Sequence, residues 1–194
     1  AVQALKADRN STLVAMGDVF PEPIEKSLGA ISAEFSTTPG RVEVPKERQF
    51  VGLDAYQKVL QSGVDLVCLA APGGFRPLHL KASIEAGKHV FCEKPMGVCP
   101  SGVRTVMEAV KLAKEKNLAI RAGFSMRFEP GYREAIQRIR DGQIGEVLAI
   151  YSTRMGAPLA RFDGVRKPGQ TDLEWQLRNW HYFNWLSGDY LMEI

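Results

Sequence analysis

Cysteine is scarce, and its placement excludes two classes of protein at once. The three residues, Cys68, Cys92 and Cys99, form no metal-ligand spacing, and an odd count cannot be fully paired. Cys68 and Cys92 fall in apolar strand-like runs, where a thiol packs as a small hydrophobe. Such usage fits a reducing compartment, so a cytoplasmic location is expected; a leader ahead of Ala1 would make it periplasmic instead. No apolar run approaches about 18 residues, so no helix of the sequence spans a membrane. Residues 1–12 lack the charged-then-apolar layout of a signal peptide. Charge of one sign is also in short supply: the net is +3, with no Lys/Arg run interleaved with aromatics, which argues against nucleic acid. Internal repeats and low-complexity segments are absent.

What is present is an ordinary globular composition, 45% hydrophobic and 24% charged over 194 residues. That length buries one good core and part of a second. The most informative stretch is Val64–Pro95, VDLVCLAAPGGFRPLHLKASIEAGKHVFCEKP. Two apolar runs, Val64–Ala71 and His89–Cys92, flank a helical segment over Pro77–Ala86. Strand, helix and strand in about thirty residues predict a right-handed crossover with parallel strands. Ligands of such sheets bind beyond the carboxyl ends of the strands. Ala71, Pro72, Gly73 and Gly74, and then Glu93, Lys94 and Pro95, occupy those ends and are expected to line one crevice.

The flanking chain keeps the same rhythm. Residues 1–9 read as the end of an amphipathic helix, and Ser11–Gly17 as a strand ending at Asp18. Helices are expected over Pro21 to about Phe35, over Leu53–Ser62 with Gly63 as the stop, and over Pro100–Lys116 with Asn117 as the stop. A loop over Thr37–Glu47, a small strand at Gln49–Val51 and a strand over Leu118–Phe124 complete the pattern. This alternation predicts an α/β class, a Rossmann-type doubly wound parallel sheet, over residues 1–124. Residues 125–194 read as the start of an α+β domain with a mostly antiparallel sheet. Its expected parts are a helix over Gly131–Asp141, a long strand over Glu146–Met155, a loop over Gly156–Thr171 and an aromatic-rich helix over Leu173–Leu186.

Several side chains at the crevice carry chemistry. An acid at the end of the second strand of a Rossmann half accepts hydrogen bonds from both ribose hydroxyls of an adenosine and repels a 2′-phosphate. Asp18 fits that role; it would serve equally as the cap of the helix beginning at Pro21. No Gly-rich phosphate turn lies in the seventeen residues before Asp18, so that turn and the first strand are expected upstream of Ala1. Lys94, beside Glu93 and stiffened by Pro95, suits general acid–base work on a hydroxyl. His79, in the first turns of the crossover helix, either contacts cofactor or satisfies a local hydrogen bond. Arg76 opens that helix and meets either an anionic group or water. Arg127, after the next strand, reaches toward the crevice from its side. Trp175, Trp180, Tyr182, Phe183 and Trp185 form either a sugar-binding floor or a packing and subunit surface.

Taken together, LVAMGDVF, DLVCLAAP with His79 beyond it, AGKHVFCEKP, GFSMRF and GQIGEV resemble the Gfo/Idh/MocA family of nicotinamide-dependent sugar and polyol oxidoreductases. The resemblance implies a cofactor of NAD, or NADP if a basic residue precedes Ala1. It implies Lys94 as a catalytic residue, Glu93 and Lys94 near the nicotinamide and Asp18 at the adenosine ribose; Pro72, Arg76, His79 and Arg127, from their places at the crevice, complete the expected cofactor contacts, and no metal is expected. A sugar or polyol substrate and a homo-oligomer formed through the second sheet are implied as partners. The family's second catalytic element is an acid or His on the helix after a Gly-containing turn. Tyr190–Ile194 begins that helix and Glu193 lies on it, while the His is expected beyond Ile194, so the chain alone is expected to be inactive. The resemblance leaves two alternatives open: an NAD-dependent glycosidase on the same fold, and a non-catalytic nucleotide-binding sensor.

Overall fold

The computed structural model describes residues 1–153, 155 and 165–193. Helix α1 (Val2–Ala7) buries Leu5 and is followed by strand β1 (Met16–Asp18) and helix α2 (Pro21–Glu34). Strand β2 (Gln49–Val51) then pairs in parallel with β1, and α3 (Ala55–Gln61) follows it. Strand β3 (Leu66–Leu69), helix α4 (Arg76–Glu85), strand β4 (His89–Cys92), helix α5 (Pro100–Glu115) and strand β5 (Ile120–Ala122) form a parallel three-stranded sheet in the order β3-β4-β5. The alternation of short apolar runs with amphipathic helices therefore produces the parallel α/β architecture it predicts, with each crossover helix returning the chain to the same end.

Strand boundaries are set by register rather than by hydrophobicity. Leu66 pairs with His89 and Leu69 with Cys92, so β3 stops where its partner turns away. The core lies between this sheet and α4 and α5, where Leu80 and Ile84 are fully buried beside Val67, Leu69, Val90, Cys92, Val106, Ala109 and Ala113. The alternation of β3 sends Val67 and Leu69 into that layer and leaves Leu66 and Cys68 exposed on the other face. Cys92 thus behaves as the buried hydrophobe expected, and Cys68 does not, because only one face of β3 is covered. Helix α3 packs on β1, with Val59 and Ala55 against Gly17, and its Val59 and Leu60 also reach the core under β3. It ends at Gly63 in the left-handed conformation (φ 81°); Asn117 (φ 55°) ends α5 in the same way.

Beyond β5 the expectations hold less well. A 3₁₀ turn (Ser125–Phe128) leads into α6 (Pro130–Arg140), close to the helix predicted. The strand expected over Glu146–Met155 is not formed: residues 146–153 and 155 carry no ladder among the described residues, and Leu148, Ile150 and Tyr151 are exposed. Alternation favours a strand, but the hydrogen bonds come from a partner, and none lies alongside this segment among the described residues. The expected loop over Gly156–Thr171 lies mostly outside the described residues.

The single helix expected over Leu173–Leu186 is instead three pieces: α7 (Asp172–Arg178), a 3₁₀ turn (Trp180–Tyr182) and α8 (Asn184–Ser187), followed by α9 (Tyr190–Glu193). Asn179 causes the break. It is buried, and its amide turns back to donate to the Trp175 carbonyl at 2.9 Å, closing α7. Thr171 caps the other end by accepting from the Glu174 N–H. No described helix is long and apolar enough to cross a membrane.

Candidate active site

The β3 exit is shaped by an arginine that sequence reasoning aimed outward. Arg76, the first residue of α4, is only 1% exposed. Its Nη1 donates to the Leu69 carbonyl and its Nη2 to the Ala71 carbonyl, both at 2.7 Å. Pro72 follows, and the 3₁₀ turn Gly73–Phe75 closes on it through a Phe75 N–H to Pro72 carbonyl bond of 3.0 Å. The structure thus spends Arg76 on backbone carbonyls inside the protein, while Pro72 stands at the mouth of the exit.

Glu93, Lys94 and Pro95 leave β4 beside that turn. The Glu93 N–H donates to the Leu69 carbonyl at 2.9 Å, so one carbonyl serves both Glu93 and Arg76. The Glu93 carboxylate lies flat against Gly123 at the end of β5: a Cβ on Gly123 would sit 2.6 Å from Glu93 Oε2. The Lys94–Pro95 peptide is cis. Lys94 Nζ donates to Glu193 Oε1 at 3.1 Å and also to the Glu193 backbone carbonyl. Lys94 keeps 38% of its side chain exposed against 13% for Glu193, so the lysine is the more open member of the pair.

Glu193 arrives on the segment 171–193, which lies across the strand ends. Gly74 abuts the Trp185 carbonyl and Leu186, and the Trp185 indole sits edge-on to Phe75 with ring centres 6.1 Å apart. At the other end Arg178 stacks over the Phe20 ring at 3.8 Å and pairs with Glu22 at 3.2 Å. One segment therefore touches the turn after β1 and the lysine after β4. His181, stacked on Trp180 at 3.5 Å, senses both members of the pair: burial lowers its pKa, Glu193 opposes that shift and Lys94 adds to it. Neither Glu193 nor His181 was among the residues singled out as binding or catalytic from the sequence. Glu193 carried a signal, its place on the helix after Ser187-Gly188-Asp189; His181 carried none beyond its aromatic neighbours.

Asp18 ends β1, and its Oδ1 accepts from the Phe20 N–H at 3.0 Å. The cap position of α2 belongs to Phe20, so Asp18 acts two residues before the helix cap. Arg127 is exposed, with its guanidinium 5.5 Å from the Phe124 ring on its own turn, and the structure does not bring it to Lys94. Trp185 and Tyr182 are exposed in part, and Trp185 donates to Gln176 Oε1 at 2.7 Å.

His79 lies between α3 and α4. Its ring stacks on Tyr56 at 4.3 Å and on Phe75 at 5.7 Å. Burial first, and the Arg76 charge second, push its pKa down to about 4. A folded chain that refuses this proton is stable above the ordinary histidine pKa of 6.5 and loses stability as pH falls from there toward 4. The loss reaches at most about 3 kcal/mol. Urea unfolding at neutral pH and at about pH 4 measures it, and His79→Phe is expected to remove that share of the pH dependence; an unchanged slope in the variant assigns the dependence to other groups.

Comparison with known proteins places these features in context. The model of the Gfo/Idh/MocA oxidoreductase family, described by its NAD-binding Rossmann fold, matches residues 4–124. An inositol 2-dehydrogenase of Rhizobium meliloti (strain 1021) is 25% identical over 187 residues, 96% of this chain and 51% of that protein. The crystal structure of a myo-inositol 2-dehydrogenase from Lactobacillus plantarum aligns with a TM-score of 0.51 at 25% identity, over 70% of this chain and 35% of its own. An aldose-aldose oxidoreductase from Caulobacter crescentus aligns with a TM-score of 0.60 over 99% of this chain and 49% of its own, at 19% identity. This chain spans about half or less of the length of these relatives.

Proposed function

Starting from the fact that the chain belongs to the Gfo/Idh/MocA oxidoreductase family, we propose that the protein exchanges hydride between a hydroxyl-bearing carbon of a cyclic polyol or sugar and a nicotinamide cofactor. The observation that carries this reading is the pairing of Lys94 with Glu193 at the carboxyl end of β4.

The residues present fit NAD. A carboxylate with one oxygen held by the Phe20 N–H and its partner oxygen available stands at the end of β1, suited to ribose hydroxyls, and the Glu93–Gly123 contact gives a flat wall beside Lys94. Asp18 would hold the ribose, and Pro72, Glu93 and Lys94 the nicotinamide end. The cofactor, when bound, supplies the hydride acceptor. Lys94 Nζ passes one ammonium proton to Glu193 Oε1, 3.1 Å away, and the amine left takes the proton of the substrate hydroxyl as hydride departs from the same carbon. Segment 171–193 covers the inner side of the pair and buries its own Leu186 fully. For the oligomer, we place the contact at segment 146–153, whose exposed Leu148, Ile150 and Tyr151 have apolar surface to bury.

The test is a panel of inositols, aldoses and their glycosides offered with NAD to the protein that carries this sequence. Appearance of reduced cofactor with a polyol or sugar supports the reading. Release of free sugar from a glycoside with no net reduction would replace it with a glycosidase, and cofactor binding with no turnover would replace it with a sensor.

A further inference from the structure

We propose that Arg76 is a positioning residue which, through the turn Gly73–Phe75, sets where Lys94 and Glu193 meet. The inference rests on the enzymatic reading above for its consequence, but its geometry stands apart from it.

A carbonyl at the end of a parallel strand loses its ladder partner when the neighbouring strand departs. Ala71, beyond the end of β3, is in that position, while the Leu69 carbonyl keeps the Glu93 N–H and has a second lone pair to fill. The Arg76 guanidinium spans both, so a rigid fork supplies the donor that the sheet does not give Ala71 and a second donor to Leu69. Because the Leu69 carbonyl also accepts from Glu93, the fork is joined to the strand exit that carries Lys94. The turn it secures then makes two contacts in opposite directions. Gly73 meets Pro95 and Val98; a Cβ there would lie 2.7 Å from Pro95 Cγ. Gly74 meets the Trp185 carbonyl and Leu186, leaving no room for any side chain. Pro95 is the neighbour of Lys94, and α8, which contains Trp185 and Leu186, leads through Gly188 into α9 and Glu193. Both halves of the pair therefore lean on one turn, and that turn is held by one guanidinium.

Arg76 also keeps a cost that a packing residue would avoid. Its Nε is buried without a hydrogen-bond partner among the described residues. Its charge is set against the carboxylates of Glu93 and Glu193, which favour it, while burial opposes it. A lysine ammonium would donate from a single atom; the planar fork puts a separate nitrogen on each carbonyl in a fixed geometry.

The test is the acylation rate of Lys94 in the intact chain, followed by mass spectrometry with acetic anhydride as the probe. Lys116, which donates to the Ile84 and Glu85 carbonyls on the far side of the same core, is the internal control. Arg76→Met is expected to speed acylation of Lys94 roughly tenfold, the change that loss of one hydrogen bond produces, with Lys116 unchanged. Arg76→Lys is expected to fall between Met and wild type. Gly74→Ala, which leaves Arg76 intact and displaces Trp185 and Leu186, is expected to release Lys94 as well, and it decides the matter if Arg76→Met does not fold. Lys94 unchanged in these variants, or rising only in step with Lys116, overturns the proposal. Turnover separates the two readings. An active enzyme with unaltered Lys94 acylation in the variants discards the role of Arg76 alone. A protein inactive on every polyol but with Lys94 released discards the dehydrogenase alone.

Discussion

Replacing Lys94 with Met is expected to lower turnover by about 10²–10⁴, the usual yield of a positioned general acid–base group, while cofactor affinity falls far less. The asymmetry follows from where the side chain lies. It is paired with Glu193 after β4 and keeps 38% of its surface exposed, whereas Asp18, held by the Phe20 N–H, stands at the end of a different strand, β1. Met retains the length and apolar stem and removes only the donor. It also unties α9, since Nζ holds the Glu193 backbone carbonyl, so a second variant is needed to separate chemistry from anchoring. Arg supplies it: the guanidinium keeps the positive charge and the hydrogen bonds but does not give up a proton at neutral pH. Equal losses in Lys94→Met and Lys94→Arg assign the defect to proton transfer; recovery in Arg assigns it to charge and anchoring. Steady-state kcat and KM for the polyol, with cofactor binding measured by fluorescence, read all of this. Near-normal turnover in Lys94→Met would remove the lysine from the mechanism.

The parts of this molecule that local physics dictates were legible before any coordinates. Val64–Pro95 reads as strand, helix and strand because two runs of β-type apolar residues are separated by one amphipathic turn-length pattern, and the structure has β3, α4 and β4 there. Asn117 and Gly63 stop helices for reasons confined to one residue. Legibility fails where the deciding interaction is remote. Glu146–Met155 alternates as a strand should, yet a strand is a property of a pair, and the sequence of one member does not contain the other. Leu173–Leu186 has helical spacing throughout; Asn179 ends α7 where its side-chain amide joins its own N–H on the Trp175 carbonyl, a contact made with the residue buried.

Arg76 marks the same boundary within the site. A charged residue at the start of a helix reads as solvent-facing, since burying a guanidinium costs more than any local pattern repays. What offsets the cost is a pair of carbonyls at the end of a strand, Leu69 and Ala71, that both accept from the guanidinium, and their positions depend on the register of β3 against β4. His79 is a similar case: its stacking on Tyr56 joins two helices whose separation in sequence says nothing of their contact. Lys94 is identifiable from its neighbours and Glu193 from its place on the helix after Gly188, but their pairing, across ninety-nine residues, only from the fold.

Glu193 therefore carries the second large prediction. Glu193→Ala is expected to lower turnover by about 10²–10⁴ if its carboxylate is the proton's next station. The fold should tolerate the change. The Lys94 ammonium left behind retains contact with water, and Glu193 Oε2 is itself a buried atom without a partner among the described residues, so removing it relieves a desolvated acceptor. Thermal unfolding close to wild type is the expected control. Glu193→Gln then distinguishes two ways the residue could work. The amide oxygen still accepts from Lys94 Nζ in nearly the same place, so a role limited to orienting the lysine survives the change, whereas a role in receiving the proton does not. Turnover in Glu193→Gln as low as in Glu193→Ala places the carboxylate in the proton route. Turnover near wild type makes Glu193 a holder of Lys94 and sends the proton elsewhere, with His181 the first group to examine. The double variant with Lys94→Met completes the argument. Two residues acting as one unit lose their function once, so the combined loss is expected to be little larger than that of Lys94→Met alone. Additive losses would mean that the two side chains, though 3.1 Å apart, serve separate steps.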